Sequence, residues 1–117
     1  MKKPLRVMKF GGTSVGDAAC IARVAQIAKG AAGKGSTVLV VSAMSGVTNR
    51  LIEAATRSES GDGEQVAAVF QALRKQHEDA LHALISRPEK RDRLAQSMQM
   101  IFAEGERFAG APRCCAS

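Results

Sequence analysis

Hydrophobic and polar positions along the chain alternate between a strand period and a helix period. Residues 5–10, Leu-Arg-Val-Met-Lys-Phe, alternate partially and predict a short strand that ends at Gly11 and Gly12. Asp17 is suited to cap the next segment, where Ile21, Val24, Ile27 and Ala28 recur at helical spacing and predict a helix over 18–29. Gly30, Gly33 and Gly35 then break the period. Residues 37–42, Thr-Val-Leu-Val-Val-Ser, are a continuous, largely β-branched run, the pattern of a strand buried on both faces. Ser45 is placed to cap a helix carrying Val47, Leu51, Ile52 and Ala55. A polar loop over 58–63 leads to a helix over 64–86, with Val66, Val69, Phe70, Leu73, Leu81, Leu84 and Ile85 as its apolar stripe. Pro88 fits the first turn of a further helix, with Leu94, Met98, Ile101 and Phe102 on one face. After Phe108 the pattern stops.

Strand, helix and strand in succession make a βαβ unit, whose crossover is expected to be right-handed. The reading is therefore an α/β fold with a mainly parallel sheet and a C-terminal antiparallel helical pair. Composition agrees: 117 residues suffice for one core, and apolar and charged fractions of 45% and 24% are those of a soluble globular protein. With four Phe and neither Trp nor Tyr, the core rests on aliphatic side chains, and base stacking on aromatic faces is disfavoured. No nucleic-acid motif is present. No apolar run is long enough to span a bilayer and no signal-peptide pattern opens the chain. Cys20, Cys114 and Cys115 make no disulfide framework, so a reducing cytoplasm is expected.

Charge adds a direction. The net charge is +6, and up to Arg50 the basic residues Lys2, Lys3, Arg6, Lys9, Arg23, Lys29, Lys34 and Arg50 face a single acid, Asp17. Anionic ligands are favoured near this half, although a basic surface also serves solubility alone. Lys9, Phe10, Gly11, Gly12, Thr13 and Ser14 bring together a cation, small residues with accessible N–H groups, hydroxyls and a helix start, the parts that hold phosphate. The order is neither a Walker A loop nor the dinucleotide fingerprint. A glycine pair also serves a turn that needs positive φ, and Lys9 is equally readable as a strand-end surface lysine. The second strand-to-helix turn holds Ser42, Ser45, Gly46, Thr48 and Asn49, suited to a small polar substrate. In open α/β sheets, ligands bind at these carboxyl ends, and neighbouring strands bring both turns to one place. Ser42 is also readable as a strand end, and Thr48 as a first-turn hydroxyl bonding its own backbone. His77 falls on the apolar stripe and reads as core; His82 reads as exposed. No His/Cys cluster has metal-ligand spacing. Gly105 interrupts a helical pattern beside Glu106, marking either close backbone approach or a helix end.

These residues resemble a known family. Lys9-Phe10-Gly11-Gly12-Thr13-Ser14-Val15 is similar to the opening signature of aspartate kinases, within the wider amino-acid kinase family. The run from Val40 to Asn49 resembles their second motif, and Gly105-Glu106-Arg107 the start of a third. The likeness extends from about Arg6 to Phe108. It implies a three-layer α/β/α sandwich, here truncated, with 1–108 the N-terminal portion of the catalytic domain and 109–117 an aberrant or disordered tail. It implies ATP-dependent phosphorylation of the β-carboxylate of L-aspartate, the first step towards lysine, threonine, methionine and diaminopimelate. Lys9 would be catalytic and contact the transferring phosphate. Gly11 and Gly12 would admit it, and Phe10, Thr13 and Ser14 would complete the ATP loop. Ser42 and Thr48 would hold aspartate, and Glu106 its α-amino group. Mg2+ would arrive mainly through the nucleotide, and the full-length enzyme would be a homo-oligomer. Relatives continue the third motif into a helix with a serine and several leucines, which Phe108-Ala109-Gly110 does not match. The isolated chain is thus expected to be inactive; the alternative is a non-catalytic remnant that binds phosphate or docks on a full-length kinase subunit.

Overall fold

The computed structural model describes residues 4–110. The element order is β1 (Arg6–Phe10), α1 (Ala18–Ala32), β2 (Thr37–Val41), α2 (Val47–Glu59), α3 (Gly63–Leu84) and α4 (Pro88–Gly110). The chain divides into two compact units, Met1–Val47 and Thr48–Ser117.

The first unit is the expected βαβ unit. β1 and β2 pair in parallel, with Arg6 opposite Thr37, Lys9 opposite Val40 and Phe10 opposite Val41. α1 connects them and packs against β2. Asp17 starts α1 from an extended backbone, its carboxylate accepting the Cys20 N–H at 2.9 Å. Gly30 does not stop this helix. It lies inside α1, which runs to Ala32 and closes with the Gly33 N–H on Lys29 O at 3.3 Å. The helical disadvantage of one glycine, about 1 kcal/mol, is smaller than what the continuing ladder and buried Ala31 return.

The sheet corrects a second expectation. β2 has the composition of a strand covered on both faces, yet Val38 is 46% exposed and Val41 56%, and Val7, the β1 partner of Val38, 63%. Two strands and one helix cannot enclose both faces of a sheet. Met8, Phe10 and Thr37 are half-buried on one face, where Leu39 and Val41 stay exposed, while Val7, Lys9, Val38 and Val40 all lie open on the other.

The second unit is helical. α2 ends in a Schellman motif: Gly61, at φ +79°, donates to Ser58 O at 3.0 Å and Asp62 to Arg57 O at 2.9 Å. Only glycine enters that left-handed conformation without strain. Asp62 then caps α3 through the Gln65 N–H at 3.2 Å, so one residue closes a helix and opens the next. α3 and α4 run antiparallel, as expected from the short link between them. Arg91, in the first turn of α4, donates to Ile85 O at 3.0 Å and Ser86 O at 3.2 Å, satisfying carbonyls just beyond α3. Val66, Val69, Phe70, Leu73, Ala80 and Leu81 of α3, with Ala54 of α2, are the buried apolar residues of this unit. His77 belongs to that face too, its Nδ1 donating to Leu73 O at 2.7 Å and its ring meeting Phe102 edge-on at 5.0 Å. The α4 face differs from the one expected. Ala95, Met98, Phe102 and Gly105 are half-buried, whereas Leu94 and Ile101 lie exposed in a separate column with Phe108. Both columns repeat every seven residues; α3 meets the one that sets Phe102 against His77 and Gly105 against Phe70.

Gly105 marks close approach, not a helix end. A methyl group there would stand 3.1 Å from Phe70 Cε1, and the helix continues to Gly110. Alanine would favour the helix by about 1 kcal/mol but crowd a buried ring, a type of change that typically costs about 1–3 kcal/mol. The expected tail over 109–117 begins with two residues still in α4; its other residues lie outside the described residues.

Candidate functional site

The site grows from the carboxyl ends of β1 and β2. Because the strands are parallel neighbours, both exit at the same end of the sheet, and the loops 11–17 and 42–46 meet there. The pairing continues past the strands: Ser42 N–H donates to Phe10 O at 3.1 Å. Further along, Ser45 N–H donates to Gly16 O at 3.3 Å. The first loop closes on itself with Ser14 N–H on Gly11 O at 3.0 Å, and buried Val15 pins it to the unit. Thr13 and Ser14 are exposed. The N–H groups of Gly12 and Thr13 serve no hydrogen bond among the described residues. Lys9 sits on the open face of β1, one residue before the strand ends.

The glycine pair is not explained by the turn. Left-handed backbone occurs among the described residues only at Gly46 and Gly61, so Gly11 and Gly12 have conformations open to other residues. Nor is either packed too tightly for a side chain. A methyl group at Gly11 would meet nothing within 4 Å, and at Gly12 it would lie 3.7 Å from Ser42 Oγ, an ordinary contact. Gly11 is exposed, and Gly12 is half-buried beside Ser42 and Ala43 of the second loop.

The start of α1 drops out of the expected anion-binding set. Asp17 places a carboxylate on it, and the Cys20 N–H, then the Cys20 thiol, then more weakly the Ala19 N–H and the Arg23 charge, hold that carboxyl below its usual range. A phosphate at this helix end would meet a negative charge already holding the Cys20 N–H. The cap's stability is therefore present above the unfolded carboxyl pKa of about 3.9 and lost as pH falls through the lower folded value. The Cys20 amide shift is expected to titrate with a midpoint below that of free aspartate; a midpoint at or above it would contradict the cap.

The second loop turns through Met44–Val47, with Val47 N–H on Met44 O at 3.2 Å. Gly46, at φ +76°, takes the position that type II turns reserve for glycine. α2 therefore starts one residue later than a Ser45 cap requires, and Ser45 is a turn residue. Ser42 is exposed at the mouth of this loop.

The structure thus brings Lys9, Phe10, Gly11, Gly12, Thr13, Ser14 and Ser42 together in the first unit. Thr48 and Glu106 lie in the second. Thr48 is exposed in the first turn of α2, and no hydrogen bond of its hydroxyl to its own backbone occurs among the described residues. Glu106, half-buried on α4, pairs with Arg74 Nη1 at 3.0 Å, while Arg74 Nε reaches Gln99 at 3.2 Å. Sequence reasoning missed Arg74, because its partner is 32 positions away on another helix and no local spacing links them. It also missed the tie between Gly16 and Ser45, for which only the shortness of both residues was a signal. No group of three or more His, Cys, Asp or Glu side chains is placed to hold a metal among the described residues.

The amino acid kinase family model matches residues 4–111. The chain is also 56% identical over 52 residues to the aspartate kinase Ask_LysC of Stutzerimonas stutzeri (strain A1501), a stretch covering 44% of this chain and 13% of that relative. At 117 residues the chain spans less than a third of the relative's length. No described helix is long and apolar enough to cross a membrane. With residues 4–111 of its 117 matched by the family's model, on a parallel βαβ unit whose loops converge at the strands' carboxyl ends, the chain belongs to the amino acid kinase family.

Proposed function

We propose that this chain is the N-terminal portion, over 1–108, of an aspartate kinase catalytic domain whose complete form is a three-layer α/β/α sandwich. The observation that carries the reading is the glycine pair that follows Lys9 and Phe10, which neither backbone conformation nor internal packing requires. In the reaction, a β-carboxylate oxygen of L-aspartate attacks the γ-phosphorus of ATP, the bond to the β,γ-bridging oxygen breaks, and ADP leaves with that electron pair. Such a transfer depends on positioning and charge stabilisation. Lys9 supplies positive charge to the phosphoryl oxygens, and the amides of Gly11 to Ser14 line the same loop. Ser42 and Thr48 hold the aspartate, and Glu106 binds its α-amino group while keeping Arg74 as its neighbour. The first loop offers a cation, amides and hydroxyls without a carboxylate cluster, a donor set for phosphate oxygens; Mg2+ arrives bound to the nucleotide. The parent enzyme is a cytoplasmic homo-oligomer feeding lysine, threonine and methionine synthesis.

The chain alone is expected to be inactive, since its sheet is open on one face. A hydroxamate assay with ATP, Mg2+ and aspartate should give no aspartyl phosphate above blank; turnover that disappears in Lys9→Ala would overturn inactivity. Titration with MgATP should nonetheless shift the Gly11–Ser14 amides, and a flat response at all of them would overturn the phosphate loop. The exposed apolar sheet face also favours a second reading, a non-catalytic module docked on a full-length kinase subunit, which co-purification with that subunit would mark.

A further inference from the structure

Gly16 and Ser45 contact neither ligand in the reading above, yet they join the loops that do. Gly16 lies outside the left-handed region, so its backbone does not demand glycine. What excludes a side chain is the second loop. A methyl group on Gly16 would collide with Ser45 Oγ and stand 3.2 Å from Gly12 O, while Ser45 Cβ would lie at an ordinary 3.6 Å. At the same place Ser45 N–H donates to Gly16 O. The contact is thus a backbone hydrogen bond at an approach so close that a side chain on Gly16 and the Ser45 hydroxyl compete for one space. It lies between two buried anchors, Val15 on the first loop and Val47 at the end of the second. A second backbone hydrogen bond between these two chain segments among the described residues, Ser42 N–H on Phe10 O, lies at the end of the strand pairing.

We propose that Gly16 is a positioning residue, which leaves room for Ser45 and so clasps the second loop to the first, fixing Ser42 relative to the Gly11–Ser14 amides. The consequence for substrate alignment rests on reading these as the phosphate and aspartate loops; the clasp itself does not. Two loops that bind separate reactants must share one frame if the reacting atoms are to meet in a productive geometry.

Amide exchange on the 117-residue chain tests the clasp without any ligand. The Ser45 amide should be protected in the parent and exchange about tenfold faster or more in Gly16→Ala. The Gly16→Ala/Ser45→Ala double variant, which removes the colliding oxygen and keeps the N–H, should regain protection, and this rescue also guards against general unfolding of the single variant. Unchanged Ser45 exchange in Gly16→Ala, or no rescue in the double variant, would overturn the proposal. Adding MgATP separates the two readings. In the parent, Ser42 and Ser45 should shift together with Gly11–Ser14; in Gly16→Ala the first-loop shifts should persist while those of Ser42 and Ser45 fall at least twofold. A first loop silent in both proteins would remove the phosphate reading and leave the exchange result to decide the clasp.

Discussion

Replacing Leu73 with alanine is expected to destabilise the helical unit by about 2–5 kcal/mol. Leu73 is fully buried, on the α3 face that also carries Val66, Val69, Phe70 and Leu81. Truncation removes apolar area from the core and leaves a cavity that a close-packed interior fills only in part. The neighbouring His77 bond survives, because it uses the Leu73 carbonyl and not its side chain. A loss of this size is a large fraction of the stability of an ordinary domain, so loss of helical signal in urea should move to much lower denaturant. Ile101→Ala is the control. Ile101 is equally apolar but 68% exposed on α4, and its truncation is expected to stay within about 0.5 kcal/mol. Equal midpoints for the two variants would show that the α3 face is not the core.

Lys9→Ala is expected to weaken MgATP binding by roughly ten- to a hundredfold, the equivalent of one hydrogen bond to a charged group, about 1.5–3 kcal/mol. Lys9 is exposed on the open face of β1 beside Val40, so the loss should fall on the ligand and leave the fold intact. The measurement is the MgATP concentration that half-shifts the Gly11 and Gly12 amides. Lys34→Ala supplies the comparison at equal net charge. Lys34 lines a pocket with Pro4, Arg6 and Ala31 at the amino ends of the strands, away from the glycine loop. General attraction between a basic chain and an anion would weaken both variants alike; a placed contact weakens only Lys9→Ala. Raising the salt should narrow the difference between parent and Lys9→Ala, since exposed charges are screened.

The βαβ unit was legible because its cues are local. A strand period, an Asp17 cap and a β-branched run each act within a few residues, and the parallel pairing follows from their order. The α3 stripe was legible for the same reason. What failed was set by neighbours distant in sequence. Gly30 reads as a breaker until the packing of Ala31 shows the helix continuing through it. Leu94 and Ile101 read as core because apolarity marks a face without saying which face a partner takes. Gly105 was an open choice until the Phe70 ring stood against it. At the site, the loop residues were identifiable by type, and their meeting followed from parallel strands. The reason for two glycines was not, because φ and free space around a backbone are not written in composition. Glu106 was visible as a candidate but its pairing with Arg74 was not.

The open sheet also has unequal edges. With two strands in the sheet among the described residues, each has one side unpaired there. β1 carries Arg6 and Lys9, charges of the kind that keep exposed edges from recruiting other chains. β2, Thr-Val-Leu-Val-Val, carries none, and its last residues are among the exposed apolar positions. A short, uncharged, β-branched segment with a free edge is a template for cross-β stacking. The strand best suited to the interior of a larger sheet is, when left uncovered, also the segment through which copies of the chain would nucleate a fibril.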